Sequence, residues 1–151
     1  MPELSRRVQT FTDSVIRRMT RISDEVDAIN LSQGFPDFPP PKAITDRLRE
    51  VADEGPHQYS VTFGAENFRE ALARKQGRAY GREINPDTEI LVTCGGTEAM
   101  MSAMMTVCNP GDKVIVFSPF YENYGADAIL SGADPIFVPL VPPTFDFDRN
   151  V

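Results

Sequence analysis

The chain has 151 residues, of which 41% are hydrophobic and 25% are charged, and its formal net charge at pH 7 is −7. These values are typical of a folded globular protein with one core. The negative charge argues against a general nucleic-acid-binding role, because no surplus of Lys and Arg is available to neutralise phosphates. No apolar run approaches the roughly 20 residues of a membrane span, and the start lacks a signal segment, so we expect a cytoplasmic protein with no membrane partner.

The cysteine and histidine residues give no sign of a metal site or of nucleophilic catalysis. Cys94 and Cys108 have no metal-ligand spacing, and His57 is the single histidine. We therefore expect two reduced, buried thiols and no metal. His57 has neither an acid nor a nucleophile at motif spacing, so we expect a loop or surface residue without a catalytic role.

Three helices are predicted in the first part of the chain. Apolar residues from Phe11 to Ile29 recur at spacings of three and four, which indicates an amphipathic helix. A proline-rich loop over residues 30–41 follows. A second helix is predicted from Pro41 to a stop at Gly55-Pro56, and a third between Gly64 and Gly81.

The second part of the chain alternates between short β-branched runs and helical patterns. Strands are predicted at Glu89–Thr93, Val114–Phe117 and Pro135–Val138, with helices after Gly95-Gly96 and over Tyr121–Leu130. Such alternation predicts an α/β protein with a parallel sheet. A sheet of three strands would keep a bare edge, so we expect the chain to be part of a larger fold.

The segment Thr93-Cys94-Gly95-Gly96-Thr97-Glu98-Ala99 puts two glycines and a hydroxyl at the predicted start of a helix. Free N–H groups and the positive helix end favour an anion there, and glycines let a phosphate approach the backbone. The alternative is a plain strand-to-helix turn with Thr97 near the cap, and the motif alone leaves it open. Neither a Walker lysine nor a dinucleotide-binding glycine pattern is present, which argues against ATP and NAD.

Aromatic residues follow the second predicted strand, at the edge of the sheet where open α/β folds bind ligands. Tyr121 is the candidate to stack on a flat cofactor ring, while Phe120 and Tyr124 have core packing as their alternative. The chain has three lysines, Lys42, Lys75 and Lys113. All are expected to be solvated, so none is a candidate for a Schiff base.

Five motifs occur in one order, within a match that spans nearly the whole chain from about Ile16 onward: Asn30–Phe38, Gln58-Tyr59 with Gly64, Val92–Ala99, Asn109–Asp112 and Pro119–Tyr121. In that order they resemble the class I aminotransferases of the fold type I pyridoxal-phosphate enzymes, in particular the aromatic, kynurenine and aspartate transaminase branch. The resemblance implies the N-terminal part of that α/β fold, an incomplete parallel-rich sheet flanked by helices. It also implies two regions, residues 1–40 with the N-terminal helix and substrate loop, and residues 41–151 as an incomplete cofactor-binding domain.

The resemblance also implies roles for individual residues. Gly95-Gly96-Thr97 would hold the phosphate of pyridoxal 5'-phosphate, and Tyr121 would stack on its ring. Tyr59 resembles the tyrosine that reaches the phosphate of the other subunit's cofactor, which implies a homodimer with shared active sites. Gly34 resembles the glycine whose backbone meets the substrate carboxylate.

The implied reaction is transfer of an amino group from an amino acid to a 2-oxo acid. The Schiff-base lysine, the aspartate at the pyridine nitrogen and the arginine for the substrate carboxylate are expected downstream of this chain. We therefore assign no catalytic residue here and expect the chain alone to be inactive. Two alternatives stay open: a pyridoxal-phosphate-dependent carbon–sulfur β-lyase of the same fold, and a non-catalytic α/β module that binds a phosphorylated ligand.

Overall fold

The computed structural model describes residues 3–55 and 57–149. Contacts divide the chain into two compact units, one of Val15–Val92 and one of Met1–Ser14 with Thr93–Val151. The division into residues 1–40 and 41–151 concerns a larger protein and stays a prediction.

The unit Val15–Val92 is helical and begins with α1 (Val15–Glu25). This helix is shorter than the predicted run from Phe11 to Ile29. It ends because Asp27 adopts φ +51°, a left-handed conformation that cannot continue a right-handed helix. The apolar spacing indicated the helix correctly but not its two ends.

Helices α2 (Lys42–Glu54) and α3 (Glu66–Tyr80) lie where the sequence predicts them. Gly55 and Gly81 follow their last residues with φ +36° and +66°, which confirms both predicted stops. Pro56, the other half of the first stop signal, lies outside the described residues.

Arg69 of α3 ties two loops of this unit together. Its side chain is 8% exposed. It donates from Nε to the Gly64 carbonyl at 3.0 Å, and from Nη1 to the Pro86 carbonyl at 2.7 Å and to Asp87 Oδ1 at 2.6 Å. A buried guanidinium is tolerated because its donors are paired in this way.

Gly64 itself accepts no side chain. Its φ is +104°, and an added Cβ would lie 2.4 Å from Val92 Cγ2 and 2.6 Å from Val92 Cβ. The adjacent Phe63 carbonyl accepts a hydrogen bond from Val92 N at 3.0 Å. The backbone of Gly64, in the loop before α3, therefore packs directly against the side chain of Val92 at the end of this unit.

The other unit contains the sheet. After a 3₁₀ helix at Arg6–Val8 come α4 (Gly96–Val107), β1 (Lys113–Ser118), α5 (Asn123–Ser131) and β2 (Asp134–Pro139). The two strands are parallel, with α5 as the crossover between them, which confirms the predicted α/β pattern. Each strand extends one residue further at both ends than predicted, and α5 begins at Asn123 rather than Tyr121.

The prediction of a strand at Glu89–Thr93 is wrong. This run carries no strand or bridge in the structure, and the sheet described here has two strands. β-branched composition gives a tendency to be extended, but a strand also needs a neighbour to complete its hydrogen-bond ladder. Val92 N is bonded instead to the loop carbonyl of Phe63.

Small side chains form the core of the sheet-containing unit. Ala128 of α5 is completely buried, and Val116 of β1, Val138 of β2 and Ala133 are at most 6% exposed. The prediction that both thiols are buried is wrong, although both are free: Cys94 is exposed and Cys108 is half-buried. Cys94 is exposed because it belongs to the turn before α4 rather than to a paired strand. No helix described in either unit is long and apolar enough to cross a membrane.

Candidate functional site

The site is built on the turn that leads into α4. Gly95 occupies the N-cap position with φ +88°, and the first intrahelical bond runs from Ala99 N to the Gly95 carbonyl at 3.2 Å. The N–H groups of Gly96, Thr97 and Glu98 precede that bond. In a helix these first donors have no intrahelical partner and carry the positive end of the helix dipole.

The backbone at this turn is open to a ligand. A Cβ added at Gly95 or Gly96 would meet no heavy atom within 4 Å. Because both residues lack that Cβ, a ligand oxygen has room to approach this backbone closely. The N–H of Gly95 is itself donated to the Thr93 carbonyl at 2.8 Å, so the open donors are those of the first turn of α4. Gly95 also needs to be glycine for its positive φ.

Short-range hydrogen bonds hold this turn in shape. Thr93 Oγ1 donates to the Gly95 carbonyl at 2.9 Å, and the Glu98 carboxylate accepts the N–H of Cys94. The second bond resembles a capping box, in which an acidic side chain in the first helical turn accepts a hydrogen bond from a backbone N–H just before the helix. We call the segment Thr93–Gly96 the glycine turn.

Asn123 of α5 orients the Thr97 hydroxyl. Its Nδ2 donates to Thr97 Oγ1 at 2.9 Å. Since Oγ1 accepts this bond, the Thr97 hydroxyl proton points away from Asn123 and can be donated to an anion. The start of α5 thus acts on the start of α4.

Tyr121 keeps an exposed ring while Phe120 is used in packing. Phe120 stacks on Phe137 with ring centroids 5.1 Å apart and an interplanar angle of 13°. Tyr121 contacts Tyr124 edge-on at 5.9 Å and is 51% exposed. Phe120 is nevertheless 38% exposed and Tyr124 39% exposed, so neither has the core position that was the alternative for them.

These parts meet in one cavity of about 410 Å³, which we call the cradle cavity. Its walls come from the α4 start, the segment before α5, and α5 itself: Gly96, Thr97, Met100, Tyr121, Asn123, Tyr124 and Asp127. The structure therefore brings Thr97, Gly96 and Tyr121 together. The volume lies within the range of small-molecule sites.

Sequence reasoning missed Asn123 and Asp127. Asp127 is 4% exposed, and its Oδ2 has no hydrogen-bond partner among the described residues. Burial raises the pKa of this carboxyl above its ordinary value, because desolvation disfavours the charged form. Asn123 and Asp127 are four residues apart on the predicted helix, so they would lie on one face of it. That spacing is the signal in the sequence that could have identified them.

Gly34 and Tyr59 belong to the unit Val15–Val92. Tyr59 is fully exposed, and a Cβ at Gly34 would meet nothing within 4 Å. Asn30 holds the Gly34 loop: its Oδ1 accepts from Ser32 N at 3.0 Å and Gln33 N at 3.3 Å. The roles of Gly34 and Tyr59 stay predictions.

The three lysines are solvated, as the sequence predicts. Lys42 pairs with Asp46 within α2, Lys113 pairs with Asp134 across the strands, and Lys75 is exposed. His57 is also exposed, with Nε2 2.8 Å from the Ala52 carbonyl. A loop position for His57 is confirmed.

Known proteins with similar sequences are aminotransferases. A methionine aminotransferase of Escherichia coli is 38% identical over 135 residues, covering 89% of this chain and 35% of the relative. Kynurenine–oxoglutarate transaminase 3 of Rattus norvegicus is 34% identical over 137 residues, covering 90% of this chain and 30% of the relative. The chain thus spans about a third of the length of these curated relatives.

Solved structures and a family profile agree with these relatives. The crystal structure of YbdL from Escherichia coli, identified as having a methionine aminotransferase function, matches 98% of this chain and 39% of its own with a TM-score of 0.90 and 35% identity. Aspartate aminotransferase from Thermotoga maritima matches 97% of this chain and 40% of its own with a TM-score of 0.84 and 29% identity. The profile of "Aminotransferase class I and II" matches residues 26–150, and the chain belongs to this family.

Proposed function

We propose that the protein carrying this chain is a pyridoxal-phosphate-dependent transaminase that moves an amino group from an amino acid to a 2-oxo acid. The observation that supports this most is the open glycine turn at the start of α4, in a chain of the aminotransferase family. The described residues supply cofactor binding, and we assign none of them to the transfer itself.

The phosphate of the cofactor is held, in this proposal, by Gly95, Gly96 and Thr97. The Gly96 and Thr97 amides and the Thr97 hydroxyl are donors, and Gly95 keeps the backbone accessible. An anion at a helix N-terminus gains about 0.3–1 kcal/mol from the helix dipole at exposed sites, and up to about 2 kcal/mol in partly buried geometry. Hydrogen bonds to a charged group add about 1.5–3 kcal/mol each, so a few donors are enough to anchor a phosphate.

Tyr121 supports the flat part of the cofactor. Its half-exposed ring lies in the wall of the same cavity as Thr97. Stacking on such a ring contributes about 0.5–1.5 kcal/mol beyond burial and fixes the orientation of the ligand. Pyridoxal phosphate, when bound, supplies an electron sink for the substrate carbon that loses its proton.

Gly34 and Tyr59 complete the proposal for the substrate and the partner subunit. The backbone of Gly34 meets the substrate carboxylate, in a loop that Asn30 keeps fixed through its bonds to Ser32 and Gln33. Tyr59, fully exposed in this chain, reaches the phosphate site of a second copy. The protein is then a homodimer with shared active sites, and its free, exposed Cys94 fits the reducing cytoplasm.

The test uses the longest product of the reading frame that encodes this chain, mixed with pyridoxal phosphate. We expect an absorbance band that borohydride reduces, and amino transfer that depends on an added 2-oxo acid. Thr97→Val removes the hydroxyl at nearly constant volume and should weaken cofactor binding about tenfold, the equivalent of one charged hydrogen bond. Thr106→Val, which loses a hydroxyl bonded to the Ser102 carbonyl at the far end of α4, is the matched control.

The remaining functions are separated by the same samples. A carbon–sulfur β-lyase would release pyruvate and ammonia with no acceptor present. A reading frame that ends at Val151, together with phosphate binding and no reducible band, would support the non-catalytic binding module. Equal cofactor affinity in Thr97→Val and wild type would refute the assignment of the cradle.

A further inference from the structure

Asp127 is the one described side chain whose buried polar atom has no hydrogen-bond partner. It is 4% exposed and lies in the wall of the cradle cavity, together with Gly96 and Thr97. An unpaired buried polar group lowers stability by about 1–3 kcal/mol in general. Such a group therefore calls for an explanation, and the phosphate-binding proposal above does not use it.

An ionised Asp127 would not suit this cavity. Its charge would lie in the same cavity as a bound anion and would repel it, with little water to screen the two charges. A neutral carboxylic acid has the opposite effect, because its O–H is a hydrogen-bond donor. Burial favours the neutral form of the carboxyl.

Among the residues that the structure describes, no charged neighbour opposes that neutral form. The elements packed on α5 are α4, β1, β2 and the 3₁₀ helix. Desolvation is the single cause of the raised pKa of Asp127. The charged groups on those elements are accounted for as follows: Glu98 binds Cys94 N, Lys113 pairs with Asp134, Arg7 donates to the Leu130 carbonyl, and Arg6 is exposed.

We propose that Asp127 is a further residue of the anion site, a neutral carboxylic acid that donates its proton to an oxygen of a bound phosphate group alongside Gly96 and Thr97. This deepens the proposed function and rests on it for the identity of the ligand. It gives the cradle a donor that is present at low pH. Above the ionisation of Asp127 that donor is replaced by a negative charge, so anion affinity falls.

Sulfate is the probe, because it stays a dianion across the pH range in which a buried carboxyl ionises, whereas phosphate does not. The amide signals of Gly96 and Thr97 are followed in the longest product of the reading frame during sulfate titrations between pH 4 and 8. The carboxyl carbon signal of Asp127 reports its ionisation directly, with no substitution needed.

Three variants separate charge, donor and packing. Asp127→Asn is a permanent neutral donor, Asp127→Leu is an apolar side chain of similar size, and Glu122→Gln removes a carboxylate that is bonded to Ser14 outside the cavity. Wild type and Glu122→Gln should lose sulfate affinity as Asp127 ionises. Asp127→Asn should keep it, and Asp127→Leu should bind about tenfold or more weakly at pH 4, the equivalent of one hydrogen bond to a charged group.

Several outcomes overturn the inference. The inference is wrong if sulfate affinity depends on pH in the same way in wild type and Asp127→Asn. It is also wrong if Asp127→Leu binds sulfate as tightly as wild type, or if the Asp127 carboxyl is already ionised at pH 4. A change in melting temperature without a change in sulfate affinity would assign Asp127 to packing alone. Asp127-dependent sulfate binding without a borohydride-reducible band keeps this inference and rejects the cofactor. A reducible band together with sulfate binding that does not depend on Asp127 supports the cofactor and rejects this inference.

Discussion

Gly64 offers a quantitative test of the packing in the helical unit. Alanine at this position must adopt φ +104°, and its Cβ must displace Val92, whose Cγ2 would be 2.4 Å away. A backbone in a sparsely populated region costs about 1–3 kcal/mol. Forcing an extra methyl into packed atoms costs about 1–3 kcal/mol more. We expect Gly64→Ala to lower the free energy of unfolding by about 2–6 kcal/mol.

Two other glycines separate these contributions. Gly81 has φ +66° but no atom within 4 Å of an added Cβ, so Gly81→Ala should cost only the backbone part, about 1–2 kcal/mol. Gly34 has open space and no positive φ, so Gly34→Ala should change stability by less than about 0.5 kcal/mol.

Urea unfolding of the apoprotein, followed by far-UV circular dichroism, gives the three values. The predicted order of stability loss is Gly64→Ala, then Gly81→Ala, then Gly34→Ala. If Gly64→Ala were no less stable than Gly81→Ala, the close contact with Val92 would be refuted. If all three matched wild type, the positive φ values would be refuted as well.

Further substitutions test the buried polar groups and the cradle. Arg69→Met leaves the Gly64 and Pro86 carbonyls without their donor and should cost about 2–4 kcal/mol in urea unfolding, whereas Asp87→Asn, at a side chain 74% exposed, should cost less than about 1 kcal/mol. The pKa of Asp127 is raised in the folded state, so its neutral form contributes stability that is present below the unfolded pKa and is lost as pH rises through the folded pKa. The melting temperature of the wild type should therefore fall over that pH range, and the melting temperature of Asp127→Asn should not show this fall. Gly95→Ala must adopt φ +88° and should lower the free energy of unfolding by about 1–3 kcal/mol in thermal unfolding. It should also abolish the change that sulfate causes in the amide signals at the start of α4. If that change were the same as in the wild type, the cradle geometry would be contradicted.

The parts of the fold that depend on nearby residues could be predicted from the sequence. Helices α2 and α3 end at Gly55 and Gly81 because glycine adopts positive φ without strain, and that preference is visible in the sequence. The strands β1 and β2 were predicted from short β-branched runs on either side of a helical pattern. Their pairing then follows from the crossover helix.

The parts that depend on distant residues could not be predicted. The run Glu89–Thr93 has strand composition, yet pairing depends on a neighbour that no local pattern specifies. In the site, Gly95 to Thr97 form a local motif and were found. Asn123 and Asp127 reach the same cavity only because α5 packs against α4, and a polar residue on a helix gives no sign of which neighbour its face will meet.

The hydrogen bonds within the glycine turn have a consequence for how binding energy is used. Thr93 bonds to Gly95 and Glu98 bonds to Cys94, so every contact that shapes the turn lies within six consecutive residues. Such a turn is formed before a ligand arrives, and little of the interaction energy is spent on ordering it. The shape of the glycine turn is therefore set by its own residues, and residues elsewhere in the pocket that select a substrate can change while the turn stays as it is.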